Sequence, residues 1–242
     1  MNTKIGIIGA MDVELNLLKS NLKPLNSEKS LKITNINGQE FVEGLLENVP
    51  VVIVRSGIGK VNAALCAQRL ILQFNVSHII NTGIAGATEH GLKVLDFVVS
   101  SDALYHDMDA TGFGYKITEI PQMHCSDFPA DKKMIEKIQE SFKNLPESKE
   151  HNLVVGRIAS GDQFISDKSL KQKIVENCSP ACVEMEGAAI AHTSYLNKIP
   201  FVIIRCMSDM ADDIGENTYN FNEEAAATLS AKLVQNTVSK FA

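Results

Sequence analysis

Val51-Val52-Ile53-Val54-Arg55-Ser56-Gly57-Ile58-Gly59-Lys60-Val61 runs from a strand through a glycine turn into a helix. Four consecutive β-branched residues read as a strand covered on both faces. After Gly57 and Gly59, residues Ala63, Ala64, Ala67, Leu70 and Ile71 recur at helical spacing.

The same alternation extends along the chain. Ile5 to Ile8 reads as a first buried strand, with Asp12 placed to cap a helix over Val13 to Ser20. Residues 25–50 are more polar and read as a hairpin region. His78 to Asn81 is a strand that ends in a second glycine-rich turn, Thr82-Gly83-Ile84-Ala85-Gly86-Ala87. Phe97 to Ser100, Leu153 to Ile158, Cys182 to Met185 and Phe201 to Met207 read as further strands, with helices near 131–143, 168–176, 187–197 and 222–240. Strands alternating with helices specify an α/β fold: a central mixed, mostly parallel sheet flanked by helices. Residues 103–130 carry few periodic apolar positions, and so long a loop is expected to reach a ligand or a neighbour. Pro146 to Glu150 reads as a flexible surface loop, too short for a linker, so residues 1–242 are read as one domain.

Composition narrows the function classes. Lys+Arg 23 against Asp+Glu 29 gives a net charge of −6, without a basic run of the kind that binds nucleic acid or an anionic membrane. No apolar run approaches a membrane span, and the N-terminal apolar stretch stops at Asp12, short of a signal sequence. The five cysteines form no Cys-x-x-Cys pair, and the six histidines no His-x-x-x-His. Reduced thiols and a cytoplasmic location are expected, with no metal.

Three acids stand where strands hand over to loops, the edge at which open α/β sheets bind ligands. They are Glu14 after Gly9-Ala10-Met11, Glu186 in Val183-Glu184-Met185-Glu186-Gly187, and Asp209 in Arg205-Cys206-Met207-Ser208-Asp209. Glu184 and Glu186, two apart, would share one face of a strand. That pair is read two ways: one carboxylate grips a vicinal diol through charge-assisted hydrogen bonds, or one is solvated and the other caps the following helix. Asp209 is likewise either a cap or a carboxyl whose pKa desolvation lifts from about 3.9. Arg205 is expected to pair with one of the acids. The glycine turns fit neither a phosphate-binding loop nor a dinucleotide fingerprint. Phe113, Tyr115 and Phe164 are aromatics in loop context that could stack on a flat base.

In order along the chain, these motifs, with Tyr105-His106-Asp107 and Ser160-Gly161-Asp162, resemble the bacterial 5′-methylthioadenosine/S-adenosylhomocysteine nucleosidases, a branch of the purine nucleoside phosphorylase superfamily. The resemblance spans nearly the whole chain. It implies a nucleoside phosphorylase-like fold and hydrolysis of the N-glycosidic bond of those two nucleosides, with 5′-deoxyadenosine a further substrate and methionine salvage the setting. By this resemblance Glu14 activates the water, with Arg205 its neighbour, and Asp209, oriented by Ser208, protonates the adenine. Glu186 and the Met185 backbone hold the ribose diol, Phe164 stacks on the base, and the Ile165 backbone reads its edge. Met11, Ile58 and Tyr219 line the sugar and thioether side, and Ala110, Phe113 and Pro121 close the pocket of a neighbouring subunit in a homodimer. No metal or cofactor is implied. Ile84 stands where some members carry serine, and residues 26–48 match only loosely. The alternatives are a 6-amino-6-deoxyfutalosine hydrolase, a phosphate-dependent nucleoside phosphorylase, whose anion the acids would repel, and a non-catalytic nucleoside-binding protein, against which the three acids count.

Overall fold

A computed structural model describes residues 3–25, 29–212 and 216–242, with the side chains of 216–221 outside that description. In chain order the elements are β1 (Ile5–Gly9), a 3-10 turn (Asp12–Glu14), α1 (Asn16–Ser20), β2 (Lys32–Ile36), β3 (Gln39–Leu46), β4 (Val49–Arg55), α2 (Lys60–Phe74), β5 (His78–Ala87) and β6 (Phe97–Tyr105). They continue with β7 (Asp127–Pro129), α3 (Lys132–Lys143), β8 (Leu153–Ser160), α4 (Lys168–Cys178), β9 (Cys182–Glu184), α5 (Gly187–Asn197), β10 (Phe201–Asp209) and α6 (Glu216–Val238).

The strands form one mixed sheet in the order β10-β6-β8-β9-β5-β1-β4-β3-β2, with β7 added to β6. A further pairing of β10 with β5 closes β5, β10, β6, β8 and β9 into a ring. β1 lies parallel to both β4 and β5, as strand–helix alternation requires, while β2, β3 and β4 form an antiparallel meander. Every residue of β1 and β10 is buried, which accounts for the apolar runs Ile5 to Ile8 and Phe201 to Ile204. Helix α2 packs on α5, and α6 packs on β5 and β10 with α1 and α3 beside it. Among the described residues no helix is long and apolar enough to cross a membrane.

The structure revises several local expectations. Thr82 to Ala87 is the second half of β5, and Gly83 and Gly86 are absent from the positive-φ residues, whereas Gly57 and Gly59 turn the chain at φ 85° and 95°. Asp12 does not cap a helix. Met11 occupies that position, the Glu14 carboxylate bonds back to its N–H, and Asp12 instead faces Arg55 at 3.5 Å. The loop expected over 103–130 is shorter at both ends, because Ala103 pairs with Phe128 between β6 and β7. Pro146–Lys149 forms a 3-10 turn.

Candidate active site

The ends of β1, β4, β9 and β10 converge on the C-terminal half of β5. Gly86 pairs with Val183 of β9 on one side and with Asp209 of β10 on the other, and Ile8 of β1 pairs with Asn81. There the chain leaves an open cavity walled by Met11 and Glu14 after β1, Ile58 after β4, Met185 and Glu186 after β9, and Ser208 and Asp209 of β10. Ile84, Ala85 and Gly86 contribute β5, and Phe164, from the loop after β8, completes the wall.

Glu14 is held by backbone alone. Its Oε2 accepts from the N–H groups of Ala10 (2.7 Å) and Met11 (3.0 Å), and its Oε1 from Ile84 N–H at 3.1 Å. Burial pushes its pKa up, while Arg205 and these amides pull it back, and the net direction is upward. A fixed carboxylate of raised basicity at a cavity wall is suited to accept a proton from water.

Arg205 is buried, and its Nη2 donates to Asn81 Oδ1 at 2.7 Å and to Glu184 Oε2. It stands 3.8 Å from Glu186 Oε2. Glu184 also accepts from Ser160 Oγ and from the N–H groups of Glu186 (3.0 Å) and Gly187 (2.7 Å). So Glu184 is the residue that caps α5, and Glu186 is not solvated: it lies beyond the end of β9, faces the cavity, and accepts at Oε1 from Gly59 N–H at 2.9 Å. The expectation that both glutamates share one strand face fails because the chain turns into α5 between them. Burial, and then the Glu184 charge beside it, push the Glu186 pKa from 4.5 to about 7, against the pull of Arg205. Burial opposes the Arg205 charge, but Glu184, Glu14 and Glu186 together hold its pKa above the ordinary value. One guanidinium therefore serves three carboxylates. Gly83 makes room for this: a Cβ there would run into both Glu14 and Arg205.

Asp209 Oδ1 accepts from Ala211 N–H at 2.8 Å, so it does cap the turn after β10, while its Oδ2 accepts from Ser208 Oγ at 2.7 Å. The Ser208 hydroxyl also has Ala85 O within 3.4 Å. Beside Asp209 a smaller space opens against Phe164, Ile165 and Met185.

Other expected site residues lie elsewhere. Arg205 does not reach the cavity lining and supports it from behind. Ala110 is buried, Pro121 is half-buried and Phe113 is 88% exposed, and none of the three lines this chain's own cavity. Tyr219 falls outside the described side chains. Sequence reasoning assigned no individual role to Asn81 or to Ser160, which it read only as part of a motif, and did not see Glu184 as the anchor of Arg205; Asn81, a polar residue at the end of the apolar run His78 to Ile80, carried a signal.

Residues 4–241 match the model of the phosphorylase superfamily. A 5′-methylthioadenosine/S-adenosylhomocysteine nucleosidase of Staphylococcus aureus is 41% identical over 237 residues, 98% of this chain and 99% of the relative. A solved 5′-methylthioadenosine/S-adenosylhomocysteine nucleosidase of Colwellia psychrerythraea in complex with adenine superposes with a TM-score of 0.92 at 39% identity, covering 100% of this chain and 96% of that one. The futalosine hydrolase of Helicobacter pylori gives a TM-score of 0.89 at 28% identity, with 98% of each chain covered.

Proposed function

The chain belongs to the phosphorylase superfamily, and from that membership and the cavity we infer that it hydrolyses the N-glycosidic bond of 5′-methylthioadenosine and S-adenosylhomocysteine, releasing adenine and the thioribose. It is an N-glycosidase. The observation that carries this reading is the convergence of Glu14, Glu186 and Asp209 with Phe164 on one cavity.

In the step we propose, Glu14 takes a proton from water as the oxygen adds to C1′. The C1′–N9 bond breaks, its electron pair passes into the purine, and Asp209 delivers a proton to N7. Solvent then moves one proton from Glu14 to Asp209. The transition state carries positive charge on the sugar, which the nearby carboxylates stabilise. Glu186 and the Met185 backbone hold the ribose diol, Phe164 stacks on the adenine, Ile165 reads its edge through the backbone, and Met11, Ile58 and Tyr219 line the sugar and thioether side. Arg205 positions Glu184 and so Glu186.

The charged groups among the described lining residues are all acids, which disfavours a bound phosphate. Purified protein with methylthioadenosine should therefore release adenine at the same rate with and without phosphate, and a sugar 1-phosphate as main product would overturn the reading. The futalosine hydrolase neighbour keeps 6-amino-6-deoxyfutalosine as a second substrate for comparison in the same assay. We further propose a cytoplasmic homodimer, in which Ala110, Phe113 and Pro121 complete the partner's pocket, acting in methionine salvage.

A further inference from the structure

Three of the motifs, at 56–61, 105–107 and 160–162, contribute charged residues that no step of the reaction uses. These residues meet. Lys60 Nζ lies 2.6 Å from Asp107 Oδ2 and 3.7 Å from Asp162 Oδ2, and 5.5 Å over the ring of Tyr105. Asp107 Oδ2 also accepts from Asp162 N–H at 3.1 Å, and Asp162 Oδ1 accepts from Lys60 N–H at 2.9 Å. The start of α2, the loop after β6 and the loop after β8 are tied together in this way. Glycines stand where these segments approach: Gly59, at φ 95°, would place a Cβ 3.1 Å from Asp162 Oδ1, and a Cβ on Gly161 would run into the His106 ring, with Asp107 Cγ 3.1 Å away.

What the cluster holds matters more than the ion pair itself. The Lys60 and Asp107 side chains are only 26% and 23% exposed, so their attraction is less screened than that of a surface pair. One residue before Lys60, Gly59 gives its N–H to Glu186. One residue before that, Ile58 lines the cavity, and two residues after Asp162 stands Phe164. The first amides of α2, which have no partner inside the helix, are thus taken by Glu186 and Asp162.

We propose that Lys60, Asp107 and Asp162 form a clasp of positioning residues that holds the Gly59 amide on Glu186 and the Phe164 loop at the cavity. One ion cluster outside the reacting atoms then sets both the diol ligand and the base wall; these two roles rest on the nucleosidase reading, but the clasp itself does not. Without the Lys60 charge the two aspartates repel, α2 shifts, and Glu186 loses the donor that favours its carboxylate. The charged groups still facing Glu186 are Glu184 from β9, Glu14 after β1 and Arg205 from β10. Its proton should then be held to higher pH.

The test compares wild type with Lys60→Met, which keeps the stem and removes the charge, and with Lys60→Arg, which restores it. In Lys60→Met the carboxyl titration of Glu186, followed by carbon NMR, should move up by about 1 pH unit. The acid limb of kcat/KM for methylthioadenosine should move with it, and KM should rise about tenfold while kcat falls less. Lys60→Arg should recover most of both changes. A Lys60→Met protein with lowered Tm, but with an unchanged Glu186 midpoint and KM, would overturn the clasp. Should Lys60→Met fail to fold, Asp107→Asn decides by the same titration, with an upward shift expected and no shift fatal to the proposal. A wild type that released no adenine would remove the nucleosidase reading, and the Glu186 titration would still decide the clasp.

Discussion

Glu186 exchanges its proton near neutrality because it is buried and lies beside the Glu184 charge, and this has a consequence for folding as well as for binding. Its pKa is about 7 in the folded chain against an ordinary 4.5, so the folded state holds a proton that the unfolded state releases. The sign follows: this group's contribution is fully present below the unfolded value and is lost as pH rises toward 7. Glu186→Gln should therefore gain about 1–3 kcal/mol over wild type as pH rises from 5 to 8, measured by urea unfolding. The same variant should raise KM, since the diol contact precedes the transition state. Asp209→Asn should behave differently. It keeps the shape and the bond from Ala211, so affinity for a substrate analogue should hold while kcat falls about 10²–10⁴-fold. Near-normal kcat would leave Asp209 as a cap alone. At this scale the sequence was informative about the three acids, because charge at the end of an apolar run is conspicuous. It did not reveal that Glu184 anchors Arg205 and α5, since spacing alone does not say which of two buried glutamates takes the guanidinium.

Within β5, glycine works by the side chain it lacks. Gly83 lies in extended backbone between Glu14 and Arg205, and Gly86 lies against Asp209 and Ala211. Gly83→Ala should displace both charged groups, destabilise the protein by about 1–3 kcal/mol and abolish adenine release. Gly112→Ala, at a position with nothing within 4 Å of the added carbon, should leave Tm within about 1 °C of wild type. The order of strands and helices was legible because period and run length differ between a buried strand and a helix. Thr82 to Ala87 was misread as a turn because glycine marks both a tight bend and a close approach, and only tertiary contacts separate the two.

Across the whole molecule, the α/β class followed from alternation, but closure of the ring did not, because the β5–β10 pairing joins segments that carry no local sign of each other. Phe113, 88% exposed in the single chain, is where the assembly can be tested. Phe113→Ala should weaken binding of the 5′-thioalkyl group about tenfold while sparing adenine affinity, and wild type should elute as a dimer at micromolar concentration. A fully active monomer would dismiss the shared pocket.

The ring also bears on how the protein is made. β5 is joined on one side by β1, where Ile5 meets His78, and on the other by β10, where Phe201 meets Ile79. A nascent chain that has emerged only as far as Pro200 therefore presents β5 with an unfilled edge, Ile79 and Ile80 included, for as long as translation takes to deliver the last strand. Pairings so distant in sequence form slowly, so this interval is when the chain is most open to proteases and to sticking to other chains. Ribosome-stalled chains long enough to have emerged only as far as residue 200 should be cut readily within β5, and chains extended far enough for β10 to clear the exit tunnel should resist.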